Sequence, residues 1–364
     1  MQRIIQSVAP MRDMFYKRAC AKFLQQQKGR GVEIDDAGTV ETLGEARTVV
    51  LDTALVLEGD ERVRCACAPL APCPAERLKK QPSWMMLTAA VALGCAEYAP
   101  LERFAQEMSF APERMARQYP LVKRFAYDEE RCVETTLHRE GGALRAYTKG
   151  APASVLALCD AVQEGKARAL TDGDRDRALD AAALMEREGL TALAFATKTL
   201  ADGEEIAESG MTFLGMVAVG DAPNGEAERY ARTLGALMRP VLMTQDSPPE
   251  GLLRATGLVR PQAGILTGDA IALLDAEGLI EACDACDAFI AADERQRKRV
   301  ASALRAAGRS SVLAIGDAAC GDASVSFHGG AASVSIQGGP EMLASLLRGC
   351  RSFLEENGKI PTNK

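Results

Sequence analysis

The chain has 364 residues, 47% of them apolar, and a formal net charge of −7. That length suits two cores better than one, and an acidic balance with dispersed Lys and Arg argues against a nucleic-acid partner. The eleven cysteines, an odd number outside any small secreted framework, read as reduced, buried, small hydrophobes of a cytoplasmic protein. No run reaches the about 20 apolar residues a membrane-spanning helix needs. With two histidines and a lone Cys283-Asp284-Ala285-Cys286, a thiolate metal site is not expected.

From Met11 to Gln27 the apolar residues Met14, Phe15, Ala19, Phe23 and Leu24 recur at helical spacing, and Lys28-Gly29-Arg30-Gly31 ends the run. Val32 to Ile34 and Thr39 to Gly44 read as a short strand and helix. Thr48-Val49-Val50-Leu51 is β-favouring and wholly apolar apart from its first residue, and it leads straight into Asp52. It reads as a buried parallel strand delivering one carboxylate to its C-terminal end. In an open α/β sheet that end faces the ligand crevice. The segment also fits a core strand whose Asp merely starts a turn.

After Asp60 the sequence turns Cys-, Pro- and Ala-rich, and Pro69, Pro72, Pro74 and Pro82 mark a loop before an apolar helix from Trp84 to Tyr98. A domain boundary is expected near Glu61. Thr135 to His138 and Leu144 to Thr148 flank Gly141-Gly142 as a hairpin. Lys149-Gly150 then turns into a helix starting near Pro152 and running to Cys159. Arg175 to Glu188 is a further helix closed by Gly189, and Leu190 to Thr197 a strand. The apolar strand Phe213 to Val219 is expected to return the chain to the first domain. Val241 to Met243 follows, ending at Thr244-Gln245-Asp246, then a strand at Ala288 to Ile290 and a basic helix from Glu294 to Ala307. Val312 to Ile315 leads to Gly316-Asp317, another strand that ends in a carboxylate. A strand around Ala332 to Ile336 and a helix through Arg351 complete the series.

Taken together, Glu41-Thr42-Leu43-Gly44, Asp52, Lys149-Gly150-Ala151-Pro152, Asp221, Asp246 and Ile315-Gly316-Asp317 resemble, in order and spacing, the P-type cation-transporting ATPases. The similarity is to the phosphorylation and nucleotide-binding domains of the calcium-pump-like branch, in the haloacid dehalogenase-like superfamily. It runs from about Ala19 to about Phe353. It implies an α/β fold: a Rossmann-like core from residues 1–60 and 211–354, with an N-terminal helix at 1–27, an inserted α+β nucleotide-binding domain at 61–210, and a polar tail at 355–364. The resemblance also implies roles. Asp52 would be the phospho-acceptor, with Thr244 and Arg297 near the phosphoryl group. Phe125, Lys149, Gly150 and Asp246 would serve ATP. Mg²⁺ would lie at Asp52, the Ala54 carbonyl, Asp317 and Asp322, the last with a register ambiguous by one residue.

The sequence departs from the family where phosphate is handled. The family's Asp-Lys-Thr-Gly-Thr-Leu-Thr is here Asp52-Thr53-Ala54-Leu55-Val56-Leu57-Glu58, which removes a Lys, two hydroxyls and a Gly. Gln245 replaces a second Gly, Arg297 a Lys, and Thr191 an Arg that reaches the nucleotide phosphates. Losing one preorganised donor typically costs about 2.7 to 4 kcal/mol of transition-state stabilisation. Ala54 also stands where soluble phosphatases of the superfamily place a second Asp.

No actuator segment with Thr-Gly-Glu and no ion path are recognisable, so a self-contained pump is not expected. The sequence supports a catalytically impaired module in which ATP and Mg²⁺ binding stay open. Its partner would be a separately encoded membrane part or another protein. Two alternatives stay open: an active phosphatase or ATPase through Asp52, and a non-catalytic interaction scaffold.

Overall fold

The computed structural model describes residues 2–94, 98–200, 208–308, 310–316, 321–327 and 332–361, with backbone alone for residues 2–13. The chain divides into two compact units, one from Met1–Glu58 with Pro223–Lys364 and one from Gly59–Ala222. In chain order the first unit opens with α1 (Gln2–Lys28), β1 (Val32–Ile34), α2 (Ala37–Glu45) and β2 (Thr48–Leu51). The second unit holds β3 (Arg62–Cys67), β4 (Pro72–Pro74), α3 (Trp84–Gly94), α4 (Ala99–Glu107), α5 (Pro112–Gln118), β5 (Leu121–Asp128), β6 (Val133–Glu140) and β7 (Ala143–Gly150). It continues through α6 (Pro152–Ala157), β8 (Cys159–Glu164), β9 (Lys166–Ala169), α7 (Asp172–Arg187), β10 (Thr191–Leu200) and β11 (Met211–Gly220). Back in the first unit come α8 (Gly225–Leu234), β12 (Arg239–Met243), α9 (Glu250–Ala255), β13 (Gly264–Thr267), α10 (Gly268–Leu273), α11 (Ala276–Ala285) and β14 (Cys286–Ile290). The last elements are α12 (Glu294–Gly308), β15 (Val312–Ile315), β16 (Ala323–Phe327), β17 (Val334–Ile336) and α13 (Pro340–Glu356).

The first unit is a doubly wound sheet in the order β1-β17-β16-β15-β2-β12-β14-β13, parallel except where β1 meets β17. All four residues of β2 are buried, as a central parallel strand covered on both faces requires. Val49 and Leu51 join the layer containing Leu343 and Leu347 of α13, while Val50 joins the layer containing Val300 and Leu304 of α12. This is the α/β, haloacid dehalogenase-like core that the family resemblance implied. The first of the parallel-only strands in the chain, β2, sits mid-sheet between β15 and β12, so the sheet reverses its winding there. A crevice at the carboxyl ends of the strands opens at such a point.

The second unit is a largely antiparallel sheet in the order β4-β3-β11-β10-β7-β6-β5, with β8 and β9 attached through β11. The Gly141-Gly142 turn joins β6 and β7, with Glu140 opposite Ala143. Here β11 corrects the sequence expectation. Instead of joining the first domain, it pairs with β10, β3 and β8 inside the second sheet. Residues 211–220 therefore lie with the inserted unit. Hydrophobicity identified the strand but could not choose its sheet, because both sheets need an apolar central strand. The helix expected to run to Cys159 stops at Ala157, and Cys159 opens β8.

Each unit contains a buried carboxylate held by two guanidinium groups. Asp287, at the start of β14 and 1% exposed, accepts from Arg239 and Arg260. Burial pushes its carboxyl up, and the Arg260 and Arg239 hydrogen bonds overcome that, leaving it below the usual carboxylate range. Asp174 in α7, also 1% exposed, accepts from Arg168 and Arg177 and closes a capping box with Thr171. The Arg168 hydrogen bond is the main cause holding its carboxyl far below the usual range.

Candidate functional site

In the first unit Leu51 lies level with Leu242 of β12 and Ile315 of β15. Asp52, Thr244 and Gly316 therefore emerge at the same sheet end, as the motif order required. The Asp52 amide donates to the Ile315 carbonyl at 3.3 Å. Its Oδ1 accepts from the Ala54 amide at 2.9 Å, capping a single 3₁₀ turn, Thr53–Leu55.

The turn after Asp52 is apolar in structure as well as in composition. Leu55 packs against the core layer of the first unit, and a Cβ on Gly316 would meet Leu55 Cδ1 at 3.1 Å and Asp52 Cβ at 3.2 Å. Gly316 has φ of +83°, a conformation glycine tolerates. The segment is fixed from behind by Asn224, whose amide nitrogen donates to the carbonyls of Leu55 at 3.1 Å and Leu57 at 3.0 Å. A loop built to wrap phosphate presents free amides; this one is a short turn stitched down by its backbone and by Leu55.

Thr244 is 2% exposed, and its hydroxyl accepts from the Asp246 amide at 3.1 Å, so it shapes its own turn. The Asp246 side chain is exposed at the same sheet end. Arg297 lies in the first turns of α12 and is 8% exposed. Asp317 lies outside the described residues.

Asp322 corrects the metal assignment. It precedes β16 and accepts from the Val312 amide at 2.9 Å, at the start of β15, while Arg305 pairs with its carboxylate. A strand rises about 3.3 Å per residue. Asp322 is thus a full strand length from Gly316, at the opposite end of the sheet from Asp52, where it closes the loop into β16. Among the described residues no three acidic, Cys or His side chains gather as a cation site. Of the proposed Mg²⁺ ligands among the described residues, Asp52 and the Ala54 carbonyl in its own turn lie at the crevice and Asp322 does not.

In the second unit Lys149 is present but engaged. Its Nζ lies 3.2 Å from Glu134 and donates to the Gly94 carbonyl at 2.5 Å. Glu134 also takes Arg124 at 2.7 Å. The space bounded by Lys149, Glu134, Thr136 and Phe195 has no room for a water-sized molecule, whereas ligand pockets hold about 300 to 1,000 Å³. Residues 95–97, beyond Gly94, lie outside the described residues.

Phe125 does not share this pocket. It stands opposite Thr135, whose hydroxyl meets that of Thr148 at 2.7 Å, while Lys149 stands opposite Glu134. Successive strand residues face opposite sides, so Phe125 and Lys149 are on opposite faces of the sheet. This corrects their assignment to one nucleotide site. Lys123 covers the Phe125 ring, with Nζ 4.6 Å from its centroid. Gly150 has a packing reason of its own: a Cβ there would fall 2.1 Å from the Cys132 carbonyl. The described residues therefore do not fit ATP at Lys149. Sequence reading missed Glu134, although a two-residue turn at Gly141-Gly142 fixes the register that puts it across from Lys149.

Residues 93–226 match the family model for the P-type ATPase cytoplasmic domain N. Among curated proteins, the chain is 31% identical over 216 residues to the probable cation-transporting ATPase F of Mycobacterium tuberculosis, covering 56% of this chain and 24% of that protein. It is 25% identical over 194 residues to calcium-transporting ATPase 1 of Bacillus cereus, covering 51% of this chain and 22% of that protein. A sodium/potassium exporting P-type ATPase of Schizosaccharomyces pombe is 25% identical over 172 residues, covering 44% and 16%. The chain spans about a quarter or less of the length of these relatives, and no helix among the described residues is long and apolar enough to cross a membrane. With the doubly wound core and the matched insertion in place, the chain is related to the P-type cation-transporting ATPases and carries a domain of their cytoplasmic N type.

Proposed function

We propose that this chain is a cytoplasmic P-type ATPase-derived module, a phosphorylation-type core with an N-type insertion, in which phosphoryl transfer from ATP is impaired and whose role is regulatory, through a partner. The observation that carries this reading is the turn after Asp52, where Leu55 packs beside Gly316 and the Asp52 carboxylate caps its own turn. Phosphoryl transfer relies on positioned donors and cations around the transferred group. Here Thr53 is buried, Leu55 is apolar, and the Thr244 hydroxyl accepts from the Asp246 amide. In the second unit the Lys149 ammonium is held by Glu134 and the Gly94 carbonyl, which disfavours nucleotide binding at that lysine.

Incubation with γ-labelled ATP and Mg²⁺ tests the reading. The expected result is no acid-stable, hydroxylamine-labile label on the protein. Label that appears in the parent chain and vanishes in Asp52→Asn would refute it. The partner is a membrane-embedded transporter part lacking its own intact module, or another protein; affinity capture from membranes, against capture from the soluble fraction, separates these.

A second reading, hydrolysis of a small phosphate ester through Asp52, draws on the position of Asp52 at the winding reversal of the sheet, level with Thr244 and Gly316. Turnover of p-nitrophenyl phosphate that is abolished in Asp52→Asn would favour it.

A further inference from the structure

Beside the hairpin end of β6 and β7, α3 and α5 enclose a cleft of about 340 Å³. Met85, Met86, Phe110, Met115, Tyr119 and Tyr147 supply its apolar lining. At the hairpin, Arg145 and Glu140 close it as an ion pair, with Nε and Oε2 2.8 Å apart. That end is satisfied and asks for no ligand. The strand residues of the cleft belong to β6 and β7, each paired on both sides, so no strand edge is offered and an occupant must be held by its side chains.

The apolar surface does not stop at the cleft. Met85 is 57% exposed, and Leu121, two residues beyond Tyr119, is 54% exposed. Apolar side chains exposed together mark a protein contact, and a groove rich in thioethers suits the apolar face of an amphipathic helix. Unpaired charge at the rim is positive. Arg114 lines the cleft, and Arg117 follows it by three residues on α5, which sets both on one side of the helix. Both are exposed; Arg114 donates to the Ser109 carbonyl, and neither pairs with a carboxylate among the described residues. In a chain of net charge −7, this local field selects an acidic partner.

We propose that this cleft is a docking groove for an amphipathic helix of a partner protein. Its leucine or aromatic anchors enter between Met86, Phe110 and Tyr147, and acidic residues beside them meet Arg114 and Arg117. The groove gives the partner invoked above a place to bind, yet it stands apart from the reading of Asp52, because it would serve a catalytically active chain equally.

The probe is a fluorescein-labelled synthetic peptide of about 15 residues, the length at which an isolated helix begins to hold, with Leu at i, i+3, i+4 and i+7 and Glu beside them. Its counterparts carry Lys for Glu, or Ser for Leu. Each is titrated into the full chain and followed by anisotropy and by the emission of Trp84, the single tryptophan, which packs edge-on to Phe110 at 6.0 Å. The Glu peptide is expected to bind saturably and about fivefold tighter than the Lys peptide, and the Ser peptide not at all. Arg117→Glu should erase the preference for Glu over Lys. Met85→Asp should weaken binding about tenfold, whereas Leu273→Asp, at an apolar residue 87% exposed in the first unit, should leave it unchanged. No saturable binding, equal affinity for the Lys peptide, insensitivity to Arg117→Glu or Met85→Asp, or an equal loss in Leu273→Asp would each overturn the proposal. None of these outcomes depends on whether Asp52 takes label from ATP.

Discussion

At Asp52 in the first unit, the key carboxylate is retained while its surroundings have become apolar. At Lys149 in the second, the motif Lys149-Gly150-Ala151-Pro152 is retained whole, but the ammonium is held by Glu134 and the Gly94 carbonyl. Asp52 is followed by apolar residues in the sequence itself, whereas Lys149 meets Glu134 and the Gly94 carbonyl only through the fold. The lesson is that a residue keeps a family role only while its partners leave its charge and donors available. Gly150 makes the same point, since the Cys132 carbonyl alone requires a glycine there.

The largest effect is expected from Gly150→Ala. Its Cβ would fall 2.1 Å from backbone, so the variant should lose about 3 kcal/mol or more in urea unfolding. A neutral outcome would free Gly150 for the ligand role that the structure does not require. Next is Asp287→Asn, which removes a buried charge shared by Arg239 and Arg260 and should cost about 3 kcal/mol.

The acid limb of stability sharpens the contrast between units. Asp287 and Asp174 both have folded pKa values lowered by their guanidinium partners. Their stabilisation is complete above the unfolded aspartate value of about 3.9 and is lost as pH falls through the lower folded values. Unfolding midpoints at pH 3 should lie below those at pH 6, and Asp287→Asn should flatten that fall for the first unit alone.

Lys149→Ala should act as a stability variant, losing about 2 kcal/mol because Glu134, 7% exposed, keeps Arg124 alone among the described residues. Unchanged stability with altered ATP-analogue binding would restore Lys149 to the family role. The smallest change is expected for Asp52→Asn, within about 0.5 kcal/mol, because asparagine also caps the Ala54 turn. A loss of several kcal/mol would show that the Asp52 charge is structural.

Much of this was legible from residue order. The run Thr48 to Leu51, the basic helix beginning at Glu294 and the Gly141-Gly142 hairpin appear where spacing put them. Even the Lys149–Glu134 pairing was within reach, since a two-residue turn dictates every opposite pair in that hairpin. The place of Phe125 was not, because the ladder between β5 and β6 shifts register between Phe125 and Asp128, and a one-residue slip moves a side chain to the other face. Neither was Asp322, whose end of the strand depends on the length and path of a loop.

By itself the sequence determined the kinds of elements, their order, and the delivery of Asp52 to the end of a buried strand, because periodicity, capping and turn chemistry act over a few residues. Tertiary structure alone decided which sheet received β11, which face Phe125 and Lys149 took, and which charges met. Those outcomes depend on register and packing between segments far apart in the chain, where similar apolar strands are interchangeable until the whole core closes.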